Sequence, residues 1–201
     1  MTISRILTAV LGALAAALLL VGCGGGSAAH DAHATATDTD APVISGEPAN
    51  FNAADVSFAT MMIPHHQQAV ELAALVPGHT TNAELTALAQ QISAAQEPEI
   101  TTMKAFLVQW NGGESAHAGH DMSMMPGMVD AATMAKLPTL QGAEFDTLWI
   151  QSMIGHHRGA IDMAKTELAD GTNADAKQLA QSIITAQQAE IDQMNKMLGT
   201  S

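Results

Sequence analysis

The chain has 201 residues, of which only 7 are Lys or Arg against 20 Asp and Glu, and its aromatic content is 3% with no tyrosine. So acidic a balance argues against nucleic acid as a partner and against docking on anionic lipid by charge. The single cysteine, Cys23, excludes an intramolecular disulfide and a thiolate metal cluster, which leaves His, Met and carboxylates for any metal chemistry.

Arg5 is followed by the apolar run Ile6 to Val21 and then by Gly22-Cys23. This predicts a signal peptide over residues 1–22, too short to span a bilayer comfortably. Leu20-Val21-Gly22-Cys23 resembles a bacterial lipoprotein signal, which implies that Cys23 is lipidated and becomes the first residue of the mature chain. Without residues 1–22 the chain keeps 6 basic and 20 acidic residues, a net charge near −14. Residues 23–50 are rich in Gly, Ala, Thr, Ser and Asp with almost no large apolar side chain, and read as a flexible tether. Residues 51–201 suffice for one compact domain. The expected setting is the extracytoplasmic face of the cell membrane, with the domain held there by lipid.

Shifted by 91 residues, Asp55–Leu107 aligns on Asp146–Leu198 without a gap, and 20 of the 53 positions are identical. The domain is therefore an internal duplication. In the first copy one helix is predicted from about Ala53 to Val76, stopped by Pro77-Gly78. A second starts at Thr81-Asn82-Ala83-Glu84 and runs to about Trp110. Thr172-Asn173-Ala174-Asp175 repeats that start after Gly171, and the fourth helix ends near Leu198-Gly199. Abundant Ala, Gln, Leu and Met favour helix over strand. The fold class is all-α: a four-helix bundle of two duplicated αα-hairpins, residues 51–110 and 142–201, joined by a connection over 111–141. Pro64 and Pro98 fall inside the helical patterns, where a kink is expected. Asp130 is placed to cap a short helix through Leu137, stopped by Pro138.

Met62 precedes His66 by four residues, and Met153 precedes His157 likewise, so each pair shares a helix face beside His65 or His156. Thioether with imidazole suits monovalent copper or silver better than magnesium, calcium or manganese. On the second helix Leu85, Leu88, Ile92, Ala95, Glu99, Met103, Phe106 and Trp110 form an apolar stripe with Gln96 at its margin. Glu99, and its counterpart Glu190, thus stand where an apolar residue is expected, and a buried carboxylate needs a partner, either a histidine or a metal ion. A hydrogen-bonded His–Glu core pair would explain either residue alone. The recurrence of His-His, Met and Glu together at one offset favours metal. Between the copies, His117, His120, Met122, Met124, Met125 and Met128 crowd a Gly- and Pro-containing stretch that reads as a flexible segment of soft ligands. His79 has no histidine counterpart in the second copy and reads as a surface residue.

These residues resemble the bacterial family called domain of unknown function 305. Its members carry a repeated Met-x-x-His-His-x-x-Ala element followed by Gln-x-x-Glu-Ile-x-x-Met. Here the elements are Met62 to Ala69 with Gln96 to Met103, and Met153 to Ala160 with Gln187 to Met194. The resemblance implies a ferritin-like four-helix bundle, and some members are periplasmic or surface copper-binding proteins linked to copper resistance. It adds Met103 and Met194 to the candidate ligands. The expected function is sequestration, trafficking or resistance through a bound soft ion, Cu(I) or Ag(I), with no catalysis and no defined protein partner. Cu(II) or Zn(II) is within reach of the His-rich segments. Two alternatives stand beside it. A di-iron oxidase would need a Glu from each of two helices and Glu-x-x-His from each of the others, whereas this chain offers Glu99-x-x-x-Met103 and Glu190-x-x-x-Met194. A structural lipoprotein would use its His–Glu pairs as core hydrogen bonds and bind no metal.

Overall fold

The structure, a computed structural model, describes residues 50–110 and 125–199, and all the regular structure among them is helical. Its helices are α1 (Ala53–Leu75), α2 (Ala83–Gln109), the short α3 (Ala131–Lys136), α4 (Gly142–Asp170) and α5 (Ala174–Met197), with a 3-10 turn over Leu137–Thr139 ahead of α4. The first two long helices end or begin within about two residues of their sequence-based limits, as expected for frayed termini.

Side chains start these helices where the sequence puts capping residues. Asn52 Oδ1 accepts from the Ala54 and Asp55 amides at 2.8 and 3.1 Å, and the Asp55 carboxylate accepts from the Asn52 amide at 2.6 Å. That reciprocal pair satisfies donors the first turn would otherwise leave open. The equivalent residues Asn82 and Asn173 cap α2 and α5, and Asp130 caps α3. Both α1 and α2 continue through their internal prolines, Pro64 and Pro98.

Hairpins α1–α2 and α4–α5 pack together mainly through α1 against α4. The core falls into two apolar clusters. One joins Leu72, Leu85, Trp149, Met153 and Met194, and the other joins Phe58, Met62, Met103, Phe106 and Ile183. Between them each long helix contributes to a polar layer: His65 and His66 from α1, Gln96 and Glu99 from α2, His156 and His157 from α4, Gln187 and Glu190 from α5. On α2 the buried arc differs from the expected stripe. Gln96 and Ile100 are buried while Ala95 and Glu99 are only half-buried, because the helix turns its face toward α1, its main neighbour. His79 also differs from its reading as a surface residue. Its Nδ1 donates to the Leu140 carbonyl at 2.9 Å and its ring stacks on Phe145 at 5.0 Å, tying the α1–α2 turn to the start of α4. Among the described residues no helix is long and apolar enough to cross a membrane.

Candidate metal centre

All four histidines of the repeated doublets are fully buried. Within the first hairpin His66 Nε2 donates to Glu99 Oε2 at 2.9 Å, and within the second His157 Nε2 donates to Glu190 Oε2 at 2.7 Å. The partner that a buried carboxylate requires is thus a histidine in both copies. Glu190 also accepts from Gln91 Nε2 of the other hairpin at 3.3 Å. His65 and His156, equivalent residues of the two copies, lie against each other with ring centroids 3.7 Å apart and planes tilted by 35°. Equivalent residues that touch mark the pseudo-twofold axis, so this pair sits at the centre of the bundle. His65 Nε2 donates to the Pro126 carbonyl at 3.0 Å.

The nitrogens can be accounted for one by one. A neutral imidazole carries one proton, so a ring that donates from Nε2 leaves its lone pair on Nδ1. Nδ1 of His65, His66 and His157 is buried without a hydrogen-bond partner, and so are both nitrogens of His156. Burial first, and then the neighbouring His66, pushes the pKa of His65 down to about 3 against a weaker pull from the Pro126 carbonyl. Burial, followed by the His65 ring, holds His156 well below its ordinary value against a weaker pull from the His65 backbone. Both rings therefore stay neutral at physiological pH, with lone pairs exposed to the interior. Histidines that ligate metals ordinarily donate their other N–H to a carboxylate or a backbone carbonyl. Three of these four stand in that arrangement.

Thioethers flank the layer on both sides. Met62 and Met103 share one apolar cluster, Met153 and Met194 the other, and all four are fully buried. Among the described residues no group of three or more His, Cys, Asp or Glu is disposed to hold a metal ion. Structural zinc, which is held by four grouped cysteine and histidine ligands, is poorly served by this arrangement. The donor types present, imidazole and thioether, match a soft monovalent ion. Met125 is buried and Met128 half-buried where the connection returns to the bundle. His117, His120, Met122 and Met124 lie outside the described residues, as does Cys23.

That returning stretch, Met125–Val129, is a strap across α1 and α4 which sequence reasoning missed. Gln68 grips it by two bonds, Nε2 to the Val129 carbonyl at 2.9 Å and Oε1 from the Val129 amide at 2.8 Å. Gly127 adopts φ 79°, a conformation that glycine tolerates. A Cβ on Gly127 would meet the Gly155 carbonyl at 2.7 Å, and one on Gly159 would run into the Pro126 carbonyl. Gly155 and Gly159, four apart on α4, were the available signal, since small residues at that spacing let another backbone approach closely.

A second polar cluster, also missed, closes one end of the bundle. Asp55, fully buried, accepts from Asn52 N, Thr172 N, Thr172 Oγ1 and Asn173 N at 2.6 to 3.2 Å. Burial raises its pKa, but the bonds from Asn173 and Asn52, the neighbouring Glu167 carboxyl and the bond from Thr172 together hold it below the ordinary carboxylate value. Glu167, 1% exposed, stands where the first copy has Val76. Burial first, then Asp55 beside it, raises its pKa to about 8, so it holds a proton that Asp55 can accept as a hydrogen bond.

Fold and layer together define a duplicated all-α bundle with a buried histidine centre. Residues 55–198 match the family described as Domain of unknown function (DUF305), and this chain belongs to that family. No curated protein matches the chain. Among solved structures, a DUF305 protein from Streptomyces coelicolor is 35% identical with a TM-score of 0.67, covering 73% of this chain and 91% of its own. A DUF305 fragment from Deinococcus radiodurans is 29% identical with a TM-score of 0.67, covering 75% and 98%. CopM in its Cu(I)-bound form is 33% identical with a TM-score of 0.60, covering 71% and 94%. CopM is also solved in Cu(II)-bound and Ag-bound forms.

Proposed function

We propose that this chain holds a soft monovalent ion, Cu(I) or Ag(I), in the histidine layer, as a non-catalytic carrier or store on the outer side of the cell membrane, anchored by lipid at Cys23. One observation carries the reading: His65, His66 and His157 are buried with Nε2 hydrogen-bonded and Nδ1 without a partner. Three buried lone pairs fixed in this way are costly unless something accepts them, and a metal ion is such an acceptor. Since no three of these side chains are grouped for one ion, its ligands are drawn from one or two of His65, His66, His156 and His157, with sulfur from among Met62, Met103, Met153 and Met194. Glu99 and Glu190 act as outer partners that orient His66 and His157. The likeness to CopM, held with copper and silver, supports the same class of ion. The di-iron alternative has less support, because each carboxylate is engaged by a histidine of its own hairpin.

The test is a competition titration with a Cu(I) chelator on the full chain and on a variant with His65, His66, His156 and His157 all changed to Ala. The variant is expected to lose tight binding at the bundle, and X-ray absorption of the loaded wild type should show sulfur as well as nitrogen around the ion. Equal affinity of the two proteins would remove the layer from metal binding.

A further inference from the structure

We propose that the Met125–Val129 strap is the positioning element of the histidine layer: it fixes His65, makes no bond to its equivalent His156, and so makes the two repeats unequal toward a soft ion. The inference rests on the soft-ion reading above and concerns how the layer is loaded.

A carbonyl oxygen can only accept, so the bond to Pro126 obliges His65 to carry its proton on Nε2 and to present Nδ1 as its donor atom. His156 has no bond to the strap and no full hydrogen bond at either nitrogen; only a weak pull from the His65 backbone acts on its proton, so its tautomer is set less firmly than that of His65. An ion reaching His65 meets a ligand already set, while at His156 the right tautomer must first be selected, and that selection weakens binding. The inequality is built into the chain. Gln68 and Gly159 are equivalent positions of the two copies, yet Gln68 grips the strap and Gly159 makes room for it. One connection joins the two repeats, so one strap serves two equivalent histidines and can hold only one of them. The layer should therefore load in order, first at the half containing His65 and then at the half containing His156.

Silver, a soft ion with no redox chemistry under these conditions, is titrated into the isotope-labelled full chain while NMR distinguishes protonated from unprotonated ring nitrogens. Before silver, His65 should show a protonated Nε2 and a bare Nδ1, and His156 a mixture of tautomers. The first silver added should move His65 Nδ1 with Nε2–H retained, and His156 should follow later. Gln68→Ala removes both bonds to Val129. It should convert His65 to a mixture and weaken the first step about tenfold, the lower end of what loss of an outer partner does to a ligand histidine, while sparing the second step. Gly159→Ala, which pushes the strap away by its Cβ, should do the same; if circular dichroism shows that this variant folds poorly, Gln68→Ala decides alone. His65 and His156 moving together in the wild type overturns the inference, as does a Gln68→Ala protein with an unchanged His65 tautomer and first step. Silver that moves none of the four histidines overturns the soft-ion reading instead, and the tautomers of the metal-free chain still decide whether the strap positions His65.

Discussion

The two hairpins are copies in sequence but not in environment. His66–Glu99 and His157–Glu190 repeat the same bond, yet the Glu99 side chain is 19% exposed and Glu190 only 5%, with Gln91 reaching across to Glu190 alone. Likewise Asp55 gathers three donor groups at the α4–α5 turn, while its equivalent Asp146 has a buried Oδ1 with no partner. The middle of the bundle has kept its chemistry in both copies, and the ends have diverged. Shared residues therefore mark what both copies must do, and differences mark where one copy took on a separate task.

The largest break in this comparison is expected at the ends. Asp55→Ala should cost about 3 kcal/mol, because several hydrogen bonds to a buried charge are lost and their donors stranded. Asp146→Ala should fall within about 0.5 kcal/mol of the wild type. Thermal melts check this, the first variant falling by roughly 6–12 °C and the second barely moving. Next come the layer carboxylates. Glu190→Ala leaves His157 Nε2–H buried without an acceptor and should cost about 2 kcal/mol, against about 1 kcal/mol for Glu99→Ala, where water reaches the gap. Chemical denaturation of the metal-free chain measures both, and equal losses would mean that the difference in burial has no energetic weight.

Effects of pH have opposite signs at the two places. His65 and His156 have folded pKa values below the ordinary 6.5. The unfolded chain therefore binds more protons below that value, and the stability they confer is present above pH 6.5 and lost as pH falls, for His65 through about 3. Glu167 has a folded pKa of about 8 against an ordinary 4.5. The folded chain binds the extra proton there, so this contribution is complete below pH 4.5 and lost as pH rises through about 8. Melting temperature should decline between pH 6 and pH 9 in the wild type and decline less in Glu167→Gln. An identical slope in the variant would show that Glu167 does not titrate in this range.

Much of the architecture was legible in the sequence because its signals are local. Asn82 and Asn173 announce two helix starts, the 91-residue offset reveals the hairpin pairing, and Glu99 and Glu190 interrupt their apolar stripes as acids paired with buried histidines do. The family was legible from the same residues. The strap was not, because the pairs that hold it, His65 with Pro126 and Gln68 with Val129, are each 61 residues apart and follow no periodicity. Glu167 was not, because its burial arises where the start of α1 meets the turn between α4 and α5. Gln96 looked marginal since a stripe drawn on one helix does not show which neighbour that helix faces. Which histidine nitrogen is free depends on its partner, and no spacing encodes that.

The contact of His65 with His156 has one more consequence, for how changes at these positions combine. In the metal-free chain His66 and His157 each bond to a carboxylate of their own hairpin, so substitutions there should have free-energy costs that add more nearly. His65 and His156 share a single ring-to-ring contact at the axis, and the second substitution finds that contact already gone. The central pair therefore behaves thermodynamically as one unit contributed by two positions.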